Sequence, residues 1–421
     1  MARRRLLVIA AAVLAVVMVV AGTTCTSGPT PTPVVVVATP TAGPTPTTAI
    51  GTETLLIGNL SILSGAGTGY GFSAARGVER GIELWNDAGG LVVGGKRYML
   101  KIDTYDWGYT ADSGRTAAEK AINDGCKIIF GVGTANTAGA QQTTEPNKVL
   151  LLAQTASNDL VTTKFPYTFR ILMGADGLYS PGMDYVWDKY PDKRKLFVTA
   201  WNDATGKLVW ETWKPLVNAM GWSKVDFQYY EPGTTDFAPF INSYLLPANP
   251  DVFALVSRTG ETGLLIKAAR QFGYKGIIYW AAGGGSVPEL QIAGDLAEGV
   301  IVNQEWDWKG QFVPEAAKPE ALSYLSRYGS NPTVHLITAL DGLRMLAAAM
   351  KKANSVDTTA IRDTLPTIEW DSYWGGKGKL YPVKDRPGAT MNFGMPVSVC
   401  DSKNTALVNV GFGLPPALKT K

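Results

Sequence analysis

The chain has 421 residues, 46% of them apolar and 18% charged, and a formal charge of +3 at pH 7. Arg3, Arg4 and Arg5 account for that whole excess, so the rest of the chain is balanced and no Lys/Arg patch for nucleic acid is expected. A single histidine and three cysteines without metal-ligand spacing exclude histidine-rich zinc sites.

In chain order, the three arginines precede an apolar run, Leu6 to Val20, that ends in small residues. Residues 1–25 therefore read as an export signal, with a membrane span as the competing reading because the run is only slightly short for one. Residues 26–52, TSGPTPTPVVVVATPTAGPTPTTAIGT, form a Pro/Thr-rich tract that cannot bury a core and is expected to be an extended linker. The remainder of the chain is longer than one hydrophobic core usually serves, so two lobes are expected.

From there strands alternate with helices. Strands are expected at Leu55–Leu63, Tyr98–Asp106, Lys127–Val132, Val149–Thr155 and Thr168–Met173, with helices at Ser73–Asp87, Ala111–Asp124 and near Ala138–Asn147. The pattern then restarts with helices near Tyr179–Lys189, Lys207–Met220, Asp236–Leu246 and Gly263–Phe272. Between them lie strands at Lys195–Trp201, Lys224–Glu231, Val252–Ser257 and Gly276–Trp280. Such alternation implies parallel sheets covered by helices on both faces, and its repetition implies two similar lobes.

Gly69, Gly71 and Ala74 fit the G-x-G-x-x-A spelling of a dinucleotide loop. That reading needs an acidic residue about twenty positions on, and Asp103 and Asp106 lie further away. No cofactor is therefore expected. The turn has glycines that let backbone approach a ligand, or it is purely structural; Ser73 is placed to cap the helix.

The ordered landmarks LSILSGAGTGYGFSAARGVERGIELWNDAGG, YDWGYTADSGRTAAEKAINDGCKIIFGVGTANT, LLAQTASNDL, GDLAEGVIV and GKGKLYP resemble the type I periplasmic solute-binding proteins of the branched-chain amino-acid and amide group. The resemblance implies an α/β fold of two doubly wound parallel-sheet lobes joined by a multi-crossing hinge. Lobe 1 would comprise residues 53–171 and 301–381, and lobe 2 residues 172–300 and 382–415. The chain would cross near Ile171, Ile301 and Pro382. The implied function is capture of a small organic solute (a branched-chain amino acid, an amide, urea or a related compound) for an ABC importer, by closure of the lobes and docking on its membrane permease. A sensor ectodomain or scavenger lipoprotein is the alternative. Ala21 to Thr24 before Cys25 resemble a bacterial lipobox, with Thr24 where Gly, Ala or Ser is usual. This implies a lipid on Cys25 and an extracytoplasmic, membrane-anchored monomer.

The same resemblance puts Tyr70 at the cleft and assigns ligand binding to two loops. In the first, Ala135 falls on the family's serine beside Thr134, Asn136 and Thr137; in the second the match gives Ala156 and Ser157. Both are strand-to-helix turns rich in small donors, which also populate ordinary turns. In lobe 2 the family's tyrosine is replaced by Asn202, Asp203, Ala204 and Thr205, and its ammonium-pairing acid falls near Ala282, in AAGGGS, which has no acid. Thr259 is a further candidate, and Glu261 or Asp203 are the available substitutes. An ammonium in a dry cleft without a carboxylate is costly, so a neutral or cationic solute with an apolar part is expected. Trp107, Trp201, Trp280 and Trp306 stand at expected strand ends facing the cleft, where they would stack on a flat, apolar or cationic ligand; the competing reading is that they plug the lobes. His335 reads as a helix-face residue satisfied by packing, and the pair Asp103 and Asp106 as solvated or hinge-bonding groups, so no enzyme is expected. Cys126 and Cys400 form either one disulfide or two buried free thiols.

Overall fold

The computed structural model describes residues 50–64, 67–257, 260–282, 287–303, 313–403 and 406–414. The expected signal, Cys25 and most of the linker lie outside the described residues. Strands β1 (Thr52–Ser61), β2 (Leu91–Val93), β3 (Lys96–Asp106), β4 (Ile128–Val132), β5 (Leu150–Gln154) and β6 (Thr168–Arg170) enter one sheet. Strands β7 (Lys195–Trp201), β8 (Lys224–Tyr230), β9 (Val252–Val256), β10 (Ile277–Ala282) and β11 (Ile301–Asn303) enter another. Next in the chain is a hairpin of β12 (Glu369–Asp371) and β13 (Lys377–Lys379). β14 (Tyr381–Val383) and β15 (Arg386–Thr390) then return to the first sheet, and β16 (Met395–Asp401) and β17 (Ala406–Gly413) complete the second.

The orders are β14-β15-β6-β5-β4-β1-β3-β2 and β17-β16-β11-β10-β9-β7-β8. The central pairs are all parallel, with antiparallel strands only at the edges. This is the two-lobed, doubly wound α/β fold that the alternation predicts. Strand burial explains the apolar runs. Ile128, Phe130, Leu150 and Leu152 point into one core, under α1 (Thr68–Asp87) and the long Val334–Ala353 helix. Ile129, Leu151 and Ala153 point to the opposite face, under α2 (Ala111–Asn123). A two-residue period buried on both faces reads in sequence as an unbroken apolar run.

Two expected lobe boundaries move. β11 pairs in parallel with β10 and antiparallel with β16, so residues 301–303 belong to lobe 2 and the return lies after Asn303 rather than at Ile301. β15 pairs with β6, so Pro382 lies within lobe 1 and the last crossing falls between Met391 and Met395. Sheet membership is set by these pairings and not by any local pattern in three-residue strands. The first crossing runs from Ile171 to Gly174, between β6 and the Ala175–Lys189 helix. Leu172 and Met173 from it and Phe393 and Met395 from the last one share a cluster with Tyr324, Leu336, Ile337 and Leu340 of lobe 1.

The glycine turn opens α1 for a steric reason. A Cβ on Gly71 would lie 1.9 Å from the Ile62 carbonyl oxygen, so only glycine lets the helix start this close to β1. Ser73 does not cap the helix. It sits inside α1, and its hydroxyl accepts from the Thr333 N–H at 2.9 Å. Cys126 and Cys400 are free and buried in different lobes.

Trp107, just past β3, is fully buried against Gly131 of β4; a Cβ at Gly131 would come within 2.4 Å of the indole Cη2. Gly131→Ala is expected to destabilise the protein by roughly 2 kcal/mol through overpacking. A thermal melt should show the transition several degrees lower, and an unchanged melt would reject this packing account.

Candidate functional site

All parallel strands of a lobe end on the same edge, where the next helices begin with amide N–H groups that have no intrahelical acceptor. In lobe 1, Gly133 has a left-handed φ of 116° and precedes α3 (Thr134–Thr144). Thr137 donates its hydroxyl to the Gly133 carbonyl at 2.6 Å. Asn136 donates its side-chain amide to the carbonyls of Trp107 (2.8 Å), Thr110 (3.1 Å) and Gly108 (3.3 Å), fastening the neighbouring loop.

The second loop, after β5, is tied to the first. Thr134 Oγ1 accepts from the Thr155 hydroxyl at 3.2 Å and from the Ala156 N–H at 3.4 Å. Ser157 Oγ accepts from the Asp159 N–H at 3.2 Å. Asn136, Thr137 and Ser157 are buried, whereas Tyr70, Thr134, Ala135 and Ala156 are half-exposed. The structure thus brings both expected loops together. It places three of their polar side chains in the scaffold that shapes the loops, leaving Thr134, Ala135 and Ala156 as the surface.

Two residues complete this edge. Beyond α3 the longer helices are α4 (Ala175–Lys189), α5 (Ala204–Ala219), α6 (Glu261–Gln271), α7 (Lys318–Tyr328) and α8 (Val334–Ala353), and His335 lies at the start of α8. The His335 ring lies 5.2 Å from the Tyr70 ring, tilted 31°, and its Nδ1 meets Thr333 Oγ1 at 3.1 Å. Gln154, the last residue of β5, donates Nε2 to the His335 carbonyl at 3.2 Å. His335 therefore packs on lobe 1 as expected, but at the helix start beside Tyr70 on the loop-bearing edge. The sequence clue was SNPT just ahead of it, a helix-entry pattern that by itself does not say which loops the helix end faces.

In lobe 2 the expected aromatic lining is corrected. Trp201 is 5% exposed and Trp280 1%, both inside the large core of that lobe, and Trp107 fills the core of lobe 1. These indoles are structural plugs, because their area is better buried under helices than spread at a polar edge. Thr259 and Trp306, and the side chains of Thr205 and Ala282, lie outside the described residues. Asp203 caps α5 by accepting from the Gly206 N–H at 2.9 Å. Glu261, at the start of α6, accepts from the Tyr230 hydroxyl at 2.7 Å and the Gly233 N–H at 2.6 Å. Both substitute acids are thus committed to local bonds.

Asp103 and Asp106 do not form a catalytic pair. Asp106 Oδ1 accepts from the Leu63 and Gly108 N–H groups, each at 3.0 Å, and Asp103 lies 3.6 Å from the Lys101 ammonium. Among the described residues no cluster of His, Cys, Asp and Glu could hold a metal ion, and no helix is long and apolar enough to cross a membrane.

Two lobes with strand carboxyl ends on facing edges, a multi-crossing hinge and donor-rich helix starts define a solute-binding protein of the periplasmic type. Residues 54–398 match the family model described as "Periplasmic binding protein", and the chain belongs to that family, whose members bind solutes and are not enzymes. It is similar to "Leu/Ile/Val-binding protein homolog 3" of Brucella melitensis biotype 1, with 26% identity covering 73% of this chain and 81% of that protein. A "Leucine-, isoleucine-, valine-, threonine-, and alanine-binding protein" of Pseudomonas aeruginosa is 24% identical over 78% and 87% of the two chains. Among solved structures, the closed conformation of the protein of that same name from Brucella ovis superposes with a TM-score of 0.74. It shares 21% identity and covers 88% of this chain and 97% of its own.

Burial pushes the His335 imidazole down to about 4 from its ordinary 6.5. A folded-state value below the unfolded one means that the fold favours the neutral ring. The stability this gives is present above about pH 6.5 and lost as pH falls toward 4. Because the residue as a whole is only half-buried, the loss is taken as about 1–2 kcal/mol. Melting His335→Gln and wild type in parallel at pH 7 and pH 4 should show a larger drop for wild type; equal drops would refute this assignment.

Proposed function

We propose that the protein is the solute-binding subunit of an ABC importer, anchored through a lipid on Cys25 and docking on the permease of that importer. Its two lobes close on a small organic solute. The observation that carries the reading is the bonded pair of strand-end segments, Thr134–Thr137 and Thr155–Asn158, on the edge of lobe 1 that faces lobe 2. The first amide groups of α3, with Thr134 and the Ala156 backbone, would bind a carbonyl or carboxylate oxygen, since a helix N-terminus favours such oxygens. Tyr70 would cover the apolar part.

The lobe 2 acids favour a solute without an ammonium group. Asp203 and Glu261 are occupied, and AAGGGS offers no carboxylate. With Trp107, Trp201 and Trp280 in the cores, a cation–π shelf for a cationic solute loses its support. A neutral amide, urea or similar compound therefore heads the list. The branched-chain amino acids named for the relatives stand as the direct comparison.

Calorimetric titration with leucine, primary amides, urea and a betaine decides between them. Binding of an amide or urea supports the neutral class, and tight binding of leucine alone overturns it. Thr134→Val removes the hydroxyl that joins the loops and is expected to weaken the binding compound roughly ten-fold. An unchanged affinity would remove this edge from the site. Fatty-acid labelling of the full chain, lost in Cys25→Ala, checks the anchor.

A further inference from the structure

Arg170 is the last residue of β6 and the last of lobe 1 before the first crossing. It is 2% exposed. Burying a guanidinium is costly unless every donor is used and a counter-charge is near, so its partners identify what the burial serves. Nε donates to Thr390 Oγ1 at 2.7 Å, and Thr390 ends β15, directly before the last crossing. The Thr390 hydroxyl in turn lies 3.0 Å from the Leu172 carbonyl of the first crossing. Nη1 donates to Asn158 Oδ1 at 2.8 Å and to the Ala156 carbonyl at 3.4 Å, both in the second ligand loop. One buried side chain therefore bonds the Ala156–Asn158 loop directly and, through Thr390 at the start of the last crossing, is linked to the first crossing.

The carboxylate acting on Arg170 is Asp176, in the first turn of α4, beyond the crossing and in lobe 2. Gly174 separates the two. A Cβ built there would lie 2.4 Å from Asp176 Oδ1, 2.8 Å from Arg170 Nη2 and 2.9 Å from Asn158 Oδ1. The φ of Gly174 is −71°, so glycine is required here for space and not for conformation. In this arrangement of the lobes, α3 and α5 approach across the cleft to within 8 Å between backbones.

We propose that Arg170 is a positioning residue that couples the Ala156–Asn158 loop to the hinge, and that Asp176 acts across the first crossing as its electrostatic latch. The latch holds the lobes in the arrangement seen here. Opening the lobes separates Asp176 from a cation that cannot move without breaking its bonds to Thr390 and Asn158. Ordering of the ligand loop and closure of the hinge then reinforce each other through one guanidinium, as a coupling between two sites requires. The proposal rests on the reading that the lobes open and close about these crossings.

Spin labels on Asp112→Cys in α2 and Glu211→Cys in α5 report the separation of the lobes. Both positions are exposed; Cys126 and Cys400 are buried and spared, and Cys25 is replaced by alanine in every labelled protein so that it takes no label. Without any solute, Asp176→Asn is expected to lengthen and broaden the label distance, and Asp176→Glu to restore it. Gly174→Ala keeps both charges but wedges them apart, so it is expected to shift the distance in the same direction. It carries the test by itself if Asp176→Asn does not fold. For whichever of leucine, amide or urea binds, Asp176→Asn should weaken affinity roughly ten-fold. Label distances in Asp176→Asn and Gly174→Ala that match wild type would overturn the latch, even where wild type responds to a solute. A single distance in every protein, with and without leucine, amide and urea, would reject hinge motion itself and with it the latch.

Discussion

Parallel pairing of the strands is the constraint on which the rest of this architecture depends. Because β4, β5 and β6 run the same way, the loops after them emerge together, and Thr134 can bond to Thr155 and Ala156 without any long-range contrivance. The same pairing in lobe 2 brings the ends of β7, β9 and β10 to one edge. Most of these parallel connections return the chain through a helix, and each such helix starts with unsatisfied N–H groups at that edge; the link from β5 to β6 has only the short turn Asp159–Val161. A polar, concave face thus arises from topology before any particular ligand chemistry is added.

The hinge adds a second layer of order. Apolar residues of the first and last crossings pack into a single cluster with α7 and α8, so the crossings are held as a unit on lobe 1. At the centre of the bundle is a buried cation in place of another apolar side chain. Its donors reach Asn158 in the loop after β5 and Thr390, which an apolar residue of equal volume could not do. Polar contacts placed inside an apolar hinge fix direction, whereas the surrounding Leu172, Met173 and Phe393 supply most of the adhesion.

Much of this was legible in the sequence. The apolar runs and amphipathic helices gave the lobes because their signals are local and periodic. The small-residue loop Thr134–Thr137 stood out because it lies between a clear strand and a clear helix, and Thr155–Asn158 because it follows a clear strand, although only the short turn Asp159–Val161 comes after it. The tryptophans were misplaced for a specific reason. A position at a strand end tells where a residue stands along the chain but not which way the side chain turns. For Trp107 the answer lay in Gly131, a glycine in the middle of an apolar strand, whose missing side chain makes the room. The lobe boundaries at Ile301 and Pro382 failed because β11 and β14 are three residues long and owe their place to partners distant in sequence. His335 was read only as a packing residue, and Gln154 was not picked out, because the carbonyl that joins them belongs to the backbone, which carries no sequence signal.

The two thiols have a practical consequence. Cys126 and Cys400 are sealed in separate cores, and burial pushes each up to about 11, far above the pH at which a thiolate would be available to react. Among the described residues no disulfide joins the halves, and none has to be formed before either core can close. The two cores can therefore close in reducing or oxidising surroundings alike, with no oxidant, isomerase or shuffling step acting on Cys126 or Cys400.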